Sequence, residues 1–111
     1  FGKVDNFFIP QVKTGNKHAY HLYPLRINFK KFDLNKESLF KHLKKKNINL
    51  QVHYIPIHLQ PYYRKRFNCK KGDFPVSERF YNEEISLPIY FSLQRSKINY
   101  VANSVIKFFK K

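Results

Sequence analysis

The pattern that most constrains the fold is an apolar repeat near the end of the chain, across residues 95–109. Its apolar residues recur at intervals of three and four: Ile98, Val101, Ala102, Val105, Ile106 and Phe109. Because an α-helix turns once in about 3.6 residues, this spacing places all of them on one face. The sequence therefore predicts a closing helix that must pack on an apolar layer supplied by the rest of the chain.

Three segments are predicted to be the strands of that layer. In residues 18–29 one face carries Tyr23, Leu25, Ile27 and Phe29, and in residues 48–54 one face carries Ile48, Leu50, Val52 and Tyr54. This alternation is typical of half-buried strands. Pro24 favours an edge position or a bulge, because proline cannot donate to a strand ladder. Residues 86–90 are a third, shorter extended piece.

Helical segments are predicted between the strands. Residues 36–46 form a helix that Asn35 caps, with its apolar side chains inward. A short helical turn is expected at residues 60–66. Another helix is expected from Pro75 to about Glu84, since the missing N–H of proline costs nothing at the first helical position.

The predicted elements alternate between strands and helices without an internal repeat. Helices over one face of a small sheet are the simplest way to bury such faces. We therefore predict an α+β fold with a small, mainly antiparallel sheet of about three strands. Residues 1–16 are expected to be a connecting segment that leads into one domain at residues 17–111.

The composition predicts a folded domain with a basic surface. Hydrophobic residues make up 42% of the chain and aromatic residues 18%, whereas disordered chains have few aromatics. The net charge of +15 predicts either an anionic partner or a solvated lysine-rich face. Cys69 is the single cysteine, which excludes an internal disulfide and favours a reducing, cytoplasmic location. No apolar run approaches the length of a membrane span.

The histidines do not predict a metal site. His18 and His21 lie three apart on a predicted strand, so their side chains are expected to point to opposite faces. His53 and His58 converge only if the chain turns back at Pro56. Because no cysteine or carboxylate lies nearby to complete a ligand set, we expect no metal here.

The uncharged segment at residues 53–63 (HYIPIHLQPYY) has two interpretations. In one it is structural, with Tyr54 and Ile55 in the core, His53 on a strand face and His58 capping a turn. In the other it is the wall of a binding site, because prolines stiffen the backbone and rings carry hydrogen-bonding tips on apolar bodies. An alternative function, binding of nucleic acid or another polyanion, is suggested by residues 62–67 (YYRKRF), in which aromatic and basic side chains occur together.

Several motifs, in one order along residues 8–110, resemble the last third of the DegT-type sugar aminotransferases. They are residues 18–26 (HAYHLYPLR), 39–43 (LFKHL), 47–48 (NI), 53–58 (HYIPIH), 60–63 (QPYY), 74–78 (FPVSE) and 85–90 (ISLPIY). The run from His53 to Arg64 is most similar to the branch that makes the 4-amino precursor of pseudaminic acid.

This resemblance implies the small C-terminal domain of a type I aminotransferase that uses pyridoxal 5'-phosphate. The parent would transfer an amino group from glutamate to a UDP-linked 4-keto-6-deoxy sugar and act as a homodimer. It also implies that the large domain with the Schiff-base lysine lies outside this chain, which begins with Phe1 and is expected to be a fragment. We therefore expect no catalytic or cofactor-binding residue here and no transamination by the chain alone. His53, Tyr54 and His58 would lie at the rim of the sugar-nucleotide site, with His58 the main contact.

Overall fold

The computed structural model describes residues 1–110, and its helices and strands form the predicted α+β fold. The strands are β1 (Phe7–Phe8), β2 (Tyr23–Ile27) and β3 (Glu84–Leu87), and the helices are α1 (Lys36–Lys44), α2 (Pro61–Phe67), α3 (Pro75–Glu83) and α4 (Arg95–Phe109). Two short 3₁₀ helices occupy Phe29–Phe32 and Ile57–Leu59. In this part of the chain no helix is long and apolar enough to cross a membrane.

The sheet is antiparallel, with the strand order β1-β2-β3. Strand β2 begins at Tyr23, so the prediction of a strand from residue 18 was wrong at that end, and His18 and His21 lie in the preceding loop. The backbone of Tyr20 is left-handed (φ 49°), which is incompatible with a continuous strand. Because β1 reaches only Arg26 and Ile27, Pro24 has a strand neighbour on one side alone, as its missing N–H requires.

The predicted strand at residues 48–54 is absent from the described sheet. A single bridge joins Gln51 to Ser86 of β3, and the backbone N–H of each donates to the carbonyl of the other. Two residues further on, the backbone N–H of His53 donates to a side-chain oxygen of Glu84 (3.0 Å) instead of to a strand partner. Pairing with β3 therefore ends after this one bridge, because the Glu84 carboxylate takes the place of the next backbone acceptor.

The connecting segment contributes the third strand of the sheet. Phe7 of β1 is buried, and its ring contacts Phe32 and Phe109 at centroid distances of 6.0 and 5.2 Å. Phe1 stacks on the same ring. This aromatic cluster joins the beginning of the chain to the end of α4.

The core lies between the sheet and helices α1 and α4. Its buried members are Phe7, Leu25, Ile27, Phe29, Leu39, Leu43, Ile48, Ile85, Leu87 and Val105. Helix α1 begins at the predicted cap, since the side chain of Asn35 accepts a hydrogen bond from the Ser38 N–H (2.8 Å). Helix α4 has the predicted bounds, but Ile98 near its start is 48% exposed.

The domain is more open than its length predicts. Its radius of gyration is 15.7 Å, whereas a compact domain of about 100 residues has a value near 13 Å. Helix α2 has no buried residue, and two of its aromatic side chains, Tyr62 and Phe67, are exposed by more than 60%. Large apolar surfaces of this kind mark contact sites in other proteins.

Candidate substrate-binding segment

The segment of interest is residues 53–58, which leaves the edge of the sheet at His53 and ends in the 3₁₀ helix at His58. Pro56 is buried between the two histidines and begins the turn into that helix. The segment is therefore held at both ends and at Pro56.

His53 is held at its backbone and at its ring. Its N–H donates to Glu84 Oε2 at 3.0 Å, and its ring Nδ1 lies 2.8 Å from the hydroxyl of Ser86. The Ser86 hydroxyl in turn donates to Glu84 Oε1. Glu84 is fully buried and Ser86 is 4% exposed. His53 therefore has a defined orientation at the start of the segment, while its ring is itself half-buried.

Tyr54 and Ile55 lie on the surface. Tyr54 is 70% exposed and Ile55 is 41% exposed. The structural interpretation that placed both in the core was wrong, because the predicted strand at residues 48–54 does not form and so does not direct the side chain of Tyr54 inward. An exposed tyrosine on a restrained segment can stack on a ligand or form a hydrogen bond with it.

His58 is buried and paired with a carboxylate from helix α3. Its Nε2 lies 2.9 Å from Glu78 Oε1, and its ring packs 4.7 Å from that of Phe74. The backbone N–H of Gly72 donates to the same oxygen at 2.7 Å. The hydrogen bonds from His58 and then from Gly72 hold the pKa of Glu78 below its ordinary value. One ring nitrogen of His58 is therefore engaged, and its contact with a sugar remains a prediction.

A shallow cavity of about 360 Å³ opens beside His58. Its lining includes Ile57, Tyr63, Cys69 and Phe74. The cavity is the part of the segment in which an apolar or ring-shaped group could contact His58 from the outside.

Sequence reasoning missed the acidic side chains that hold the segment. Glu84 and Ser86 lie two apart on a strand and therefore share a face, which was a usable signal. The preceding residue, Glu83, has a different partner, because its carboxylate lies 3.7 Å from the Arg26 guanidinium. The burial of Glu78 had no such signal, because it depends on where His58 lies in three dimensions.

Lys36 is partly buried, and this burial lowers its pKa. Its ammonium group donates to the carbonyl of Tyr81 and lies 5.1 Å from that ring. It therefore has an internal partner. Within residues 1–110, no three side chains of the types that ligate metals come together.

Comparison with known proteins decides the family. Residues 1–106 match the model of the DegT/DnrJ/EryC1/StrS aminotransferase family. The chain belongs to this family.

Three curated relatives match most of the chain. An uncharacterized protein of Methanocaldococcus jannaschii is 46% identical over 107 residues, which cover 96% of this chain and 28% of that protein. The Bacillus subtilis spore coat polysaccharide biosynthesis protein SpsC is 35% identical, with 95% and 27% covered. The Helicobacter pylori UDP-4-amino-4,6-dideoxy-N-acetyl-beta-L-altrosamine transaminase is 36% identical, with 86% and 24% covered. The chain thus spans about a quarter of the length of these relatives.

Solved structures show the same fold. The Helicobacter pylori aminotransferase PseC, described as involved in the biosynthesis of pseudoaminic acid, has a TM-score of 0.85 and 33% identity, covering 99% of this chain and 29% of its own. The S. venezuelae protein DesV has a TM-score of 0.85 at 24% identity, covering 99% and 28%. The α+β fold of this DegT-family chain is therefore that of the small C-terminal domain of the pyridoxal-phosphate aminotransferases.

Proposed function

We propose that this chain is the C-terminal domain of a cytoplasmic aminotransferase that forms an amino sugar on a nucleotide. The parent enzyme transfers an amino group from glutamate to a UDP-linked 4-keto-6-deoxy sugar, in the biosynthesis of pseudaminic acid or another surface polysaccharide. The family match supports an aminotransferase, and the likeness to the Helicobacter pylori transaminase supports this class of sugar.

The observation that carries the proposal is the construction of the segment at residues 53–58. It presents an exposed Tyr54 between two histidines that are each tied to the body of the domain. A binding wall gains affinity when its side chains are already held in place, because less conformational entropy is lost on binding. In this proposal Tyr54 and His53 contact the sugar nucleotide, and His58 contacts it from the cavity beside Phe74.

The rest of the active site comes from the parent protein. Pyridoxal 5'-phosphate and the lysine that holds it belong to a large domain outside these residues, and the parent is a homodimer. The chain alone is therefore inactive in transamination. The exposed apolar surfaces of α2 and of the start of α4 are the faces available for contact with that large domain or with the second subunit.

A chimeric enzyme tests the proposal. The segment of the Helicobacter pylori transaminase that matches this chain is replaced by the chain, so that the cofactor domain is supplied by the relative. We expect the chimera to show the absorbance of bound pyridoxal phosphate and to aminate its sugar-nucleotide substrate. In the chimera, Tyr54→Ala should raise KM for the sugar nucleotide about ten-fold, the contribution of one ordinary contact, and leave the cofactor absorbance unchanged.

Tyr100→Ala is the matched control. Tyr100 is about half exposed like many surface tyrosines, but its hydroxyl donates to the carbonyl of Lys46, which places it beside the end of α1. Its removal should leave KM unchanged. If the chimera binds cofactor but Tyr54→Ala and Tyr100→Ala have the same KM as the unsubstituted chimera, the segment is not a substrate wall.

A second candidate function rests on helix α2. Its exposed Tyr62 and Phe67 flank three cationic residues, Arg64 to Arg66, and Arg66 lies 5.9 Å from the ring of Phe67. Single-stranded nucleic acids bind to such combinations of rings and positive charge. A gel-shift with single-stranded nucleic acid at moderate salt distinguishes this function from the aminotransferase domain. Tight binding that Phe67→Ala abolishes would favour nucleic-acid binding, and absence of binding would exclude it.

A further inference from the structure

Three side chains at the start of the candidate segment form a continuous chain of hydrogen bonds. Glu84 Oε1 accepts from the hydroxyl of Ser86, and that hydroxyl oxygen lies 2.8 Å from Nδ1 of His53. Glu84 Oε2 accepts from the backbone N–H of His53. Both oxygens of a fully buried carboxylate are thus used on one serine and one histidine.

The number of protons in this chain determines the form of the imidazole. An ionised carboxylate can only accept, and a hydroxyl has one proton to donate. Both oxygens of Glu84 act as acceptors, one from the Ser86 hydroxyl and the other from the backbone N–H of His53. Since the single proton of Ser86 goes to Glu84, the Ser86 oxygen must accept from His53. The proton of the neutral His53 ring is therefore on Nδ1.

We infer that Glu84 and Ser86 are positioning residues that hold His53 as the Nδ1–H tautomer, so that its Nε2 presents a lone pair to a hydroxyl group of the bound sugar. The second half of this inference rests on the proposed function, and the first half does not. A histidine in the opposite tautomer would present a donor and would select a carbonyl or phosphate oxygen instead. The buried pair thus sets the polarity of the site.

One substitution should invert the tautomer. In Glu84→Gln the backbone N–H of His53 still requires an oxygen opposite it, so the amide NH₂ faces Ser86. The Ser86 oxygen then accepts from this amide and its proton is free for Nδ1 of His53. The ring proton moves to Nε2. A role in which Glu84 merely fills space predicts no such inversion, because glutamine has nearly the same shape.

Nitrogen-edited NMR of the 111-residue chain measures the tautomer directly. The spectrum is recorded at about pH 8, above the ordinary histidine pKa of about 6.5, and the His53 signals are assigned by their loss in His53→Gln. We expect Nδ1 to resonate as a protonated nitrogen and Nε2 as an unprotonated one. The reverse assignment in the unsubstituted chain would overturn the inference.

Variants of Ser86 provide the next comparison. Ser86→Ala removes the acceptor, so His53 should show the mixture of tautomers found for a free imidazole. Ser86→Thr keeps the hydroxyl and should restore Nδ1–H. If Ser86→Ala retains pure Nδ1–H, another group holds the ring and the proposed role of the Glu84–Ser86–His53 hydrogen bonds is wrong.

Kinetics of the chimeric enzyme separate the tautomer of His53 from its contact with the sugar. Ser86→Ala should raise KM for the sugar nucleotide about ten-fold with little change in kcat, as expected for one lost hydrogen bond, and Ser86→Thr should restore it. If NMR shows Nδ1–H while Ser86→Ala leaves KM unchanged, the sugar contact of His53 is refuted, but the assignment of its tautomer is not. If NMR shows the opposite tautomer but Tyr54→Ala still raises KM, the role of Glu84 and Ser86 is refuted and the proposed function is not.

Discussion

Replacing Leu25 by alanine tests whether the small core carries the stability of this open domain. Leu25 is fully buried at the centre of β2, opposite Ile85 of β3. The change removes three carbon atoms from the core, which at about 0.8 kcal/mol for each buried methylene is about 2.4 kcal/mol. The cavity left behind adds about 1 kcal/mol, so we expect a loss of about 3–4 kcal/mol in the free energy of unfolding.

Urea denaturation followed by far-ultraviolet circular dichroism measures this loss. A domain of about 110 residues has a free energy of unfolding of roughly 5–15 kcal/mol, and the open shape favours the lower end. The substitution should therefore remove more than half of the stability and move the midpoint to much lower urea, with an unchanged slope.

Phe91→Ala is the matched control, because it removes a larger apolar side chain that is fully exposed. It should change the free energy of unfolding by less than about 0.5 kcal/mol. A cost below about 1 kcal/mol for Leu25→Ala, or an equal cost for the two variants, would refute the assignment of the core.

Three further predictions concern the cap of α1, the pair at His58 and the turn at Gly72. Asn35→Ala should cost about 1 kcal/mol of stability in urea denaturation, because it removes the cap on the Ser38 N–H; an unchanged midpoint would contradict that cap. The pKa of Glu78 is lower in the folded state, so its contribution to stability is complete above its ordinary pKa and is lost as the pH falls through the lowered value. On acidification the midpoint of thermal unfolding should therefore fall more steeply in the unsubstituted chain than in Glu78→Gln. Parallel curves for the two would exclude the effect. Gly72→Ala should cost about 1–2 kcal/mol in the same urea assay, from backbone strain at φ 101° rather than from a clash, since no atom lies within 4 Å of the added carbon; a neutral outcome would show that the turn adjusts.

The sequence predicted those parts of the fold that depend on local pattern. Helix α4 follows from its apolar spacing, helix α3 from Pro75, and the start of α1 from Asn35, because each signal acts within a few residues. The resemblance of the motifs added the family, which the comparison confirmed.

The predictions that were wrong concern features that depend on contacts between residues distant in the sequence. Alternation alone could not reveal that Glu84 would take the backbone N–H of His53 and end the predicted strand. The same limit applies to the site: the segment was found, but the exposure of Tyr54 and the pairing of His58 with Glu78 arise from tertiary packing.

The aromatic cluster of Phe1, Phe7 and Phe109 has a consequence for how this chain is made. Strand β1 and the last turn of α4 are separated by almost the entire sequence, yet their rings are in contact. Closing so long a loop is slow, because its entropy is lost before the contact forms. On the ribosome, Phe7 can contact Phe1 and Phe32 early, but its contact with Phe109 must wait until the end of α4 has left the exit tunnel. The apolar packing around β1 is therefore completed only after the last turn of α4 has been made.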